Sequence, residues 1–172
     1  MGIWHEKLNQ SGQKLLCISG GQRGSDAGGL AAAYDNKLPT GGTVPNGWIT
    51  LNGPNPALSK LGCVEHTSSK YAPRTYSNVK DSDGTIRLAY DFNTPGEICT
   101  KKAIDYYNKP YFDIDLKDPT FIFDVTKWID DNKIVVLNCA GNAGRTKEEG
   151  NLIFQQVREY LGCIFRNYKH EN

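Results

Sequence analysis

The apolar run Leu15-Leu16-Cys17-Ile18-Ser19 stops at Gly20-Gly21, and a stretch with helix-forming character opens at Ser25. A short apolar run without polar alternation reads as a strand buried on both faces, as in parallel sheets covered by helices. Parallel neighbours need a crossover of a dozen residues or more, usually a helix. The rest of the chain repeats that alternation. Ser25 or Asp26 caps a helix running to about Asn36, in which Gly28 and Gly29 each cost about 1 kcal/mol relative to Ala. Such glycines make sense where a helix lies close against a sheet. A short strand is expected near residues 39–42, then a long turn-rich loop up to residue 70. Helices follow at 71–80, with Pro73 in the first turn, and at 97–108. Phe121, Val125, Trp128 and Ile129 mark another amphipathic helix, and the last runs over 146–165. Strands are expected at 85–90, 111–114 and 134–140. The pattern specifies an α/β fold with a mostly parallel sheet and helices on both faces.

A chain of 172 residues suits one domain. Residues 1–13 read as a polar, loosely ordered lead-in, 14–166 as the ligand-binding domain and 167–172 as a tail. Lys and Arg number 20 against 19 Asp and Glu, without the basic excess of a general nucleic-acid binder. No apolar stretch approaches the roughly 20 residues that span a bilayer, and the N-terminus lacks the apolar run of a signal peptide. A cytoplasmic location is expected, with neither membrane nor nucleic acid as partner. Cys17, Cys63, Cys99, Cys139 and Cys163 include no CxxC pair and read as reduced core thiols; no metal site is expected. His66 in Cys63-Val64-Glu65-His66 lacks the PCxxC half of a deaminase signature, and His5 and His170 lie near the ends.

Average usage near 7% would give about 12 glycines, whereas the chain has 18. Eight of them (Gly20, Gly21, Gly24, Gly41, Gly42, Gly96, Gly141 and Gly144) fall at expected strand exits, the rim where open α/β sheets bind ligands. Ser19-Gly20-Gly21-Gln22-Arg23-Gly24-Ser25-Asp26 places glycines before a helix N-terminus, a combination suited to phosphate, and Arg23 adds a charge. It matches neither GxGxxG nor a P-loop, and a tight structural turn also accounts for it. In the segment from Tyr71 to Thr85, Arg74 and Asn78 share a helix face, while Asp81 and Asp83 stand where the helix dipole disfavours them. Thr94-Pro95-Gly96-Glu97 opens a helix; Glu97 suits helix capping, contact with a ribose, or acid–base work. Gly141 and Asn142 close the last strand.

Together SGGQRGSDAGGL, PTGGTVPNGW, YAPRTYSNVKDSDGTI and VLNCAGN resemble the putative molybdenum carrier family. That family belongs to a Rossmann-like nucleotide-binding group that includes the lonely-guy, lysine-decarboxylase-like phosphoribohydrolases. The resemblance implies one Rossmann-like domain, often a homo-oligomer, that binds a small phosphorylated ligand such as molybdenum cofactor. By that likeness Gly20, Gly21, Gln22 and Gly24 form the phosphate loop, with Asp26 as the acid after it. Arg74, Asn78, Asp81, Ser82 and Asp83 match the second motif. Two positions depart from the pattern: Arg23 replaces the usual Thr, and Pro95-Gly96-Glu97 replaces a sequence close to Gly-Gly-Thr. Pro95 removes an N–H, and Glu97 adds negative charge.

No nucleophile–base pair stands out, so the expectation is binding or sequestration, without catalysis, of molybdenum cofactor or an ADP-ribose-like signalling nucleotide. One alternative is hydrolysis of a nucleotide N-glycosidic bond with Glu97 as the carboxylate and Arg74 on the phosphate. A scaffold with a lost pocket is another.

Overall fold

The expected loose lead-in contains a helix, α1 (Ile3–Ser11), in the computed structural model, which describes residues 2–169. Only Trp4 and Leu8 of α1 are buried, joining Leu16, Ile18 and Val136 in a small apolar cluster. Two buried positions one turn apart are too few to register as periodicity. Of the expected tail, residues 167 and 168 belong to a helical turn, Arg166–Tyr168, and 170–172, with His170, lie outside the described residues.

The main elements then follow in order: β1 (Leu16–Ser19), α2 (Ser25–Asp35), β2 (Thr40–Val44), a hairpin of β3 (Ile49–Thr50) and β4 (Gly53–Pro54), and β5 (Cys63–Glu65). After these come α3 (Tyr71–Asp81), β6 (Gly84–Ala89), α4 (Pro95–Tyr107), β7 (Tyr111–Asp115), α5 (Ile122–Asp131), β8 (Val136–Gly141) and α6 (Lys147–Phe165). Six strands make one sheet in the order β5-β2-β1-β8-β6-β7, with every pairing parallel. The domain is a single Rossmann-like α/β unit. Its first and last strands are neighbours, Leu16 facing Val136 and Ser19 facing Cys139.

Two expectations shift. The stretch taken for a long loop holds the hairpin and the edge strand β5, whose Val64 and Glu65 are exposed. Gly41 and Gly42 lie inside β2; a Cβ at Gly41 would fall 2.2 Å from the Trp4 ring, so the missing side chain makes room for α1. The glycines of α2 do allow close approach. A Cβ on Gly29 would meet Cys139 of β8 at 2.7 Å, and one on Gly28 would meet α6 at 2.9 Å.

The largest apolar cluster takes residues from α2, α5, α6 and the sheet, including Leu15, Ile86, Leu88, Leu137, Ile153, Val157 and Phe165. Val79, Ala103 and Ile104 form a separate cluster between α3 and α4. All five cysteines are free: Cys17, Cys63 and Cys139 are buried, Cys99 is half-buried and Cys163 is exposed. Among the described residues no helix is long and apolar enough to cross a membrane.

Candidate functional site

Three loops leave the carboxyl ends of adjacent strands: 20–24 after β1, 90–94 after β6 and 142–146 after β8. Strand order reverses across these strands, with β2 on one side of β1 and β8 and β6 on the other, the switch point at which open α/β sheets form a ligand crevice. Here they meet the N-terminal turn of α3 around a cavity of about 490 Å³, within the range of small-molecule sites. Of the expected residues, Gln22, Asp26, Arg74, Thr94, Gly96, Glu97, Gly141 and Asn142 line it.

Asp26 and Glu97 are the buried carboxylates of the cavity, 5% and 3% exposed. Asp26 Oδ2 accepts the Gln22 N–H at 3.2 Å and lies 3.6 Å from Arg74 Nη1. Burial pushes the Asp26 carboxyl up to about 6; Arg74 and the Gln22 amide pull against that, and the nearby Glu97 charge adds to it. An ion pair too long for a good hydrogen bond offsets only part of a desolvation penalty. Arg74 reaches Asp26 because residue 20 has no side chain: a Cβ there would sit 1.8 Å from Nη1. The Arg74 guanidinium also lies 5.7 Å from the Tyr71 ring centroid, and its Nε is buried without a hydrogen-bond partner among the described residues.

Glu97 belongs to a reciprocal cap at the start of α4. Thr94 Oγ1 accepts the Glu97 N–H and donates to Glu97 Oε2. Asn142 Nδ2 donates to the same oxygen at 2.8 Å, and Arg87 Nη1 to the Glu97 backbone carbonyl at 3.0 Å. Burial raises the Glu97 carboxyl above its ordinary range, while Thr94, Asn142 and Arg87 act in the other direction. Asn142 also accepts the Tyr90 and Asp91 N–H groups and donates to the Asp91 carbonyl. It is the staple that fixes loop 90–94.

The other expected residues lie outside the cavity lining. Gly21 has φ +72°, and a Cβ there would meet Val44 and Leu58 within 2.9 Å; it faces packed side chains. Its N–H goes to Ser19 Oγ at 3.2 Å. Gly24, at φ +79°, approaches the Asn142 carbonyl too closely for any side chain, with a Cβ position 2.3 Å away. The guanidinium of Arg23 is spent on Ala143 O, Gly144 O and Asn52 Oδ1, which tethers loop 142–146. Gln22 lines the cavity, but its side chain holds the hairpin through Ile49 O and Leu51 N. The loop expected to cradle phosphate therefore gives two of its amides, at Gly21 and Gln22, to protein oxygens.

The second motif divides by height. A helix leading into a parallel strand runs against it, so Arg74 stands at the cavity rim and the end of α3 at the opposite one. Asn78 is buried midway and pairs with both backbone groups of Thr43, at 2.8 and 2.9 Å. Asp81 ends α3. Ser82 donates to Val79 O, and its carbonyl accepts from Lys109. Asp83 accepts from the Val135 and Val136 N–H groups and pairs with His5 at 2.9 Å. It ties α1 and β8 to the amino end of β6.

Several lining residues carried no motif signal: Leu51, Tyr90, Asp91, Cys99, Arg145 and Glu149; Tyr71 opened the second motif without being singled out. Tyr71, Tyr90 and Leu51 are large, exposed and apolar, features visible only once the surface is known. Arg145 is exposed and makes no hydrogen bond or ion pair among the described residues. Its position just beyond Gly144, at another expected strand exit, was the available clue. Burial raises the Cys99 thiol. Among the described residues no group of three or more His, Cys, Asp or Glu is placed to hold a metal ion.

Residues 17–165 match the model of the circularly permutated YpsA SLOG family. A crystal structure of a protein named putative molybdenum carrier protein, from Syntrophus aciditrophicus SB, is similar with a TM-score of 0.77 and 33% identity, over 88% of this chain and 96% of that one. No curated protein matches.

Proposed function

The chain belongs to the circularly permutated YpsA SLOG family, and from that premise we propose that it binds and holds a small phosphorylated, nucleotide-type ligand, without turning it over. The observation that carries the reading is the division of the cavity. One part offers Arg145, unpaired among the described residues, and the N-terminus of α4, where the Cβ position of Gly96 has nothing within 4 Å. Helix N-termini and arginine suit phosphate oxygens. The rings of Tyr71 and Tyr90 and the side chain of Leu51 offer apolar surface to a flat base or pterin. The anion-binding role moves in this reading from loop 20–24 to the starts of α4 and α6.

Molybdenum cofactor, suggested by the name of the similar protein, and ADP-ribose-like nucleotides are the candidate cargoes. The cytoplasm is the compartment in which such a carrier meets either, and a homo-oligomer is the assembly we expect. Mass spectrometry of the small molecules released on denaturation tests the reading first. Titration with AMP and ADP-ribose tests it next, and Gly20→Ala serves as the control, because the new Cβ displaces the Arg74 guanidinium. A ligand at 100 times its Kd adds about 2.7 kcal/mol of stability. The expected result is an intact phosphorylated compound and an affinity that falls about tenfold or more in the variant, a change of about 1.4 kcal/mol. No bound compound and no thermal shift with either nucleotide overturns it.

A specific observation favours one second reading. Glu97 is buried with a raised carboxyl, and its Oε1 has no hydrogen-bond partner among the described residues, which suits acid–base work on an N-glycosidic bond. Free base released from nucleoside monophosphates, and lost in Glu97→Gln, supports this enzyme; intact nucleotide recovered after incubation supports the carrier.

A further inference from the structure

Asp26 puts a carboxylate where the glycine-loop pattern leads one to expect a bound anion. Its Oδ2 is occupied by the Gln22 N–H and faces Arg74. Its Oδ1 accepts no hydrogen bond among the described residues, and Asp26 lines the cavity. Glu97, near enough to interact with Asp26 electrostatically, repeats the arrangement: Oε2 is occupied and Oε1 is not. Both carboxylates are almost fully buried, so the floor of the cavity presents two acceptor oxygens with unused lone pairs. A phosphate placed there would meet two like charges in a poorly solvated space. A group bearing hydroxyl donors would satisfy both oxygens.

Resting on the binding reading above, we propose that Asp26 selects ribose-bearing ligands: its open Oδ1, together with Glu97 Oε1, accepts hydrogen bonds from the vicinal hydroxyls of a ribosyl phosphate. Arg74 positions Asp26 from α3, and the Gln22 amide fixes which oxygen faces inward. A site built to hydrogen-bond a hydroxyl rejects the analogue lacking it, because its buried polar groups are then left unpaired. The sugar lies deepest, with the phosphate toward Arg145 and α4 and the base toward Tyr71 and Tyr90.

The test compares AMP with 2′,3′-dideoxy-AMP by isothermal titration on wild type and Asp26→Asn. In the variant the amide oxygen stays on the Gln22 N–H, which leaves an NH₂ donor in place of the open acceptor. Wild type is expected to bind AMP about tenfold or more tighter than the dideoxy analogue, and Asp26→Asn to bring AMP down to the analogue's affinity. The analogue's own affinity should change by less than about twofold. Wild type binding both compounds equally refutes the inference and leaves the binding reading standing, and this arm needs no variant to fold. Asp26→Asn binding AMP as tightly as wild type shows that Asp26 does not touch the sugar. Tighter binding shows that it repels the phosphate, and either outcome overturns the proposal. Wild type binding neither compound overturns the inference, while the binding reading falls only if ADP-ribose and the mass spectrometry above are negative as well.

Discussion

Replacing Asn142 should cost more than any other single side chain on the cavity rim, because it serves four partners at once. Its Oδ1 accepts from the N–H groups of Tyr90 and Asp91 at 2.8 and 3.1 Å, and its Nδ2 donates to Asp91 O and Glu97 Oε2 at 2.9 and 2.8 Å. At about 1 kcal/mol net for each bond, Asn142→Ala forfeits about 4 kcal/mol. Water entering from the cavity recovers part of that, so a loss of about 2–4 kcal/mol is expected. The Glu97 carboxyl, deprived of a donor, should rise further. Asn142→Asp separates the two halves of the staple. It keeps the acceptors for Tyr90 and Asp91 but turns an oxygen toward Asp91 O and Glu97 Oε2, so the new carboxyl and Glu97 must share a proton. The folded variant then holds that proton above the ordinary carboxylate range while the unfolded chain has released it. Its stability should fall as pH rises, by about 1.4 kcal/mol for each unit by which the shared pKa exceeds the unfolded value. Urea unfolding at pH 5 and pH 8 measures both effects. Asn142→Ala losing less than about 1 kcal/mol at unchanged m, or an Asn142→Asp deficit that is the same at both pH values, refutes the staple.

Asp83→Ala should destabilise the fold by about 1–2 kcal/mol, since it removes the acceptor for Val135, Val136 and His5 in a half-exposed setting. Affinity for any ligand of the cavity should be unchanged, and urea unfolding with parallel titration of AMP checks both. The carboxyl of Asp26, pushed up to about 6 from 3.8, makes the folded state bind more protons than the unfolded chain over that window. Stability should therefore decline as pH rises from about 4 through about 6, by about 3 kcal/mol from this group. Burial sets the rise; of the charged groups facing Asp26, Arg74 from α3 opposes it and Glu97 from α4 adds to it. Asp26→Asn should flatten the slope, and carbon-detected NMR titration of the carboxyl should place its midpoint near 6; an ordinary midpoint sinks this account.

Much of the fold was legible because continuous apolar runs and glycine stops are local consequences of a parallel sheet covered on both faces. The edge strand β5 was not, since two of its three residues are exposed and carry no burial pattern. Helix α1 escaped notice for a related reason: it buries only Trp4 and Leu8, and the tryptophan lies over a glycine of a strand some 37 positions away. The motif from Arg74 to Asp83 was visible as a unit, yet its two ends do different work. From Arg74 to the helix end at Asp81, seven residues of rise at about 1.5 Å each carry the chain about 10 Å, from the cavity rim toward the amino ends of the strands.

By itself, then, the sequence determined the layered α/β architecture and pointed to the rim at which a cavity opens, with Arg74, Asp26 and Glu97 among the groups that line it. Only the tertiary structure decided what each group faces. The glycine loop's amides at 21 and 22 and the charge of Arg23 are satisfied by protein atoms, and acceptor oxygens of Asp26 and Glu97 are left open toward the cavity. Spacing along a chain fixes which residues share a helix face or a loop. Which partner takes each hydrogen bond depends on elements that meet from β1, α3, α4 and β8, separated by up to about 120 residues, and no local pattern encodes that.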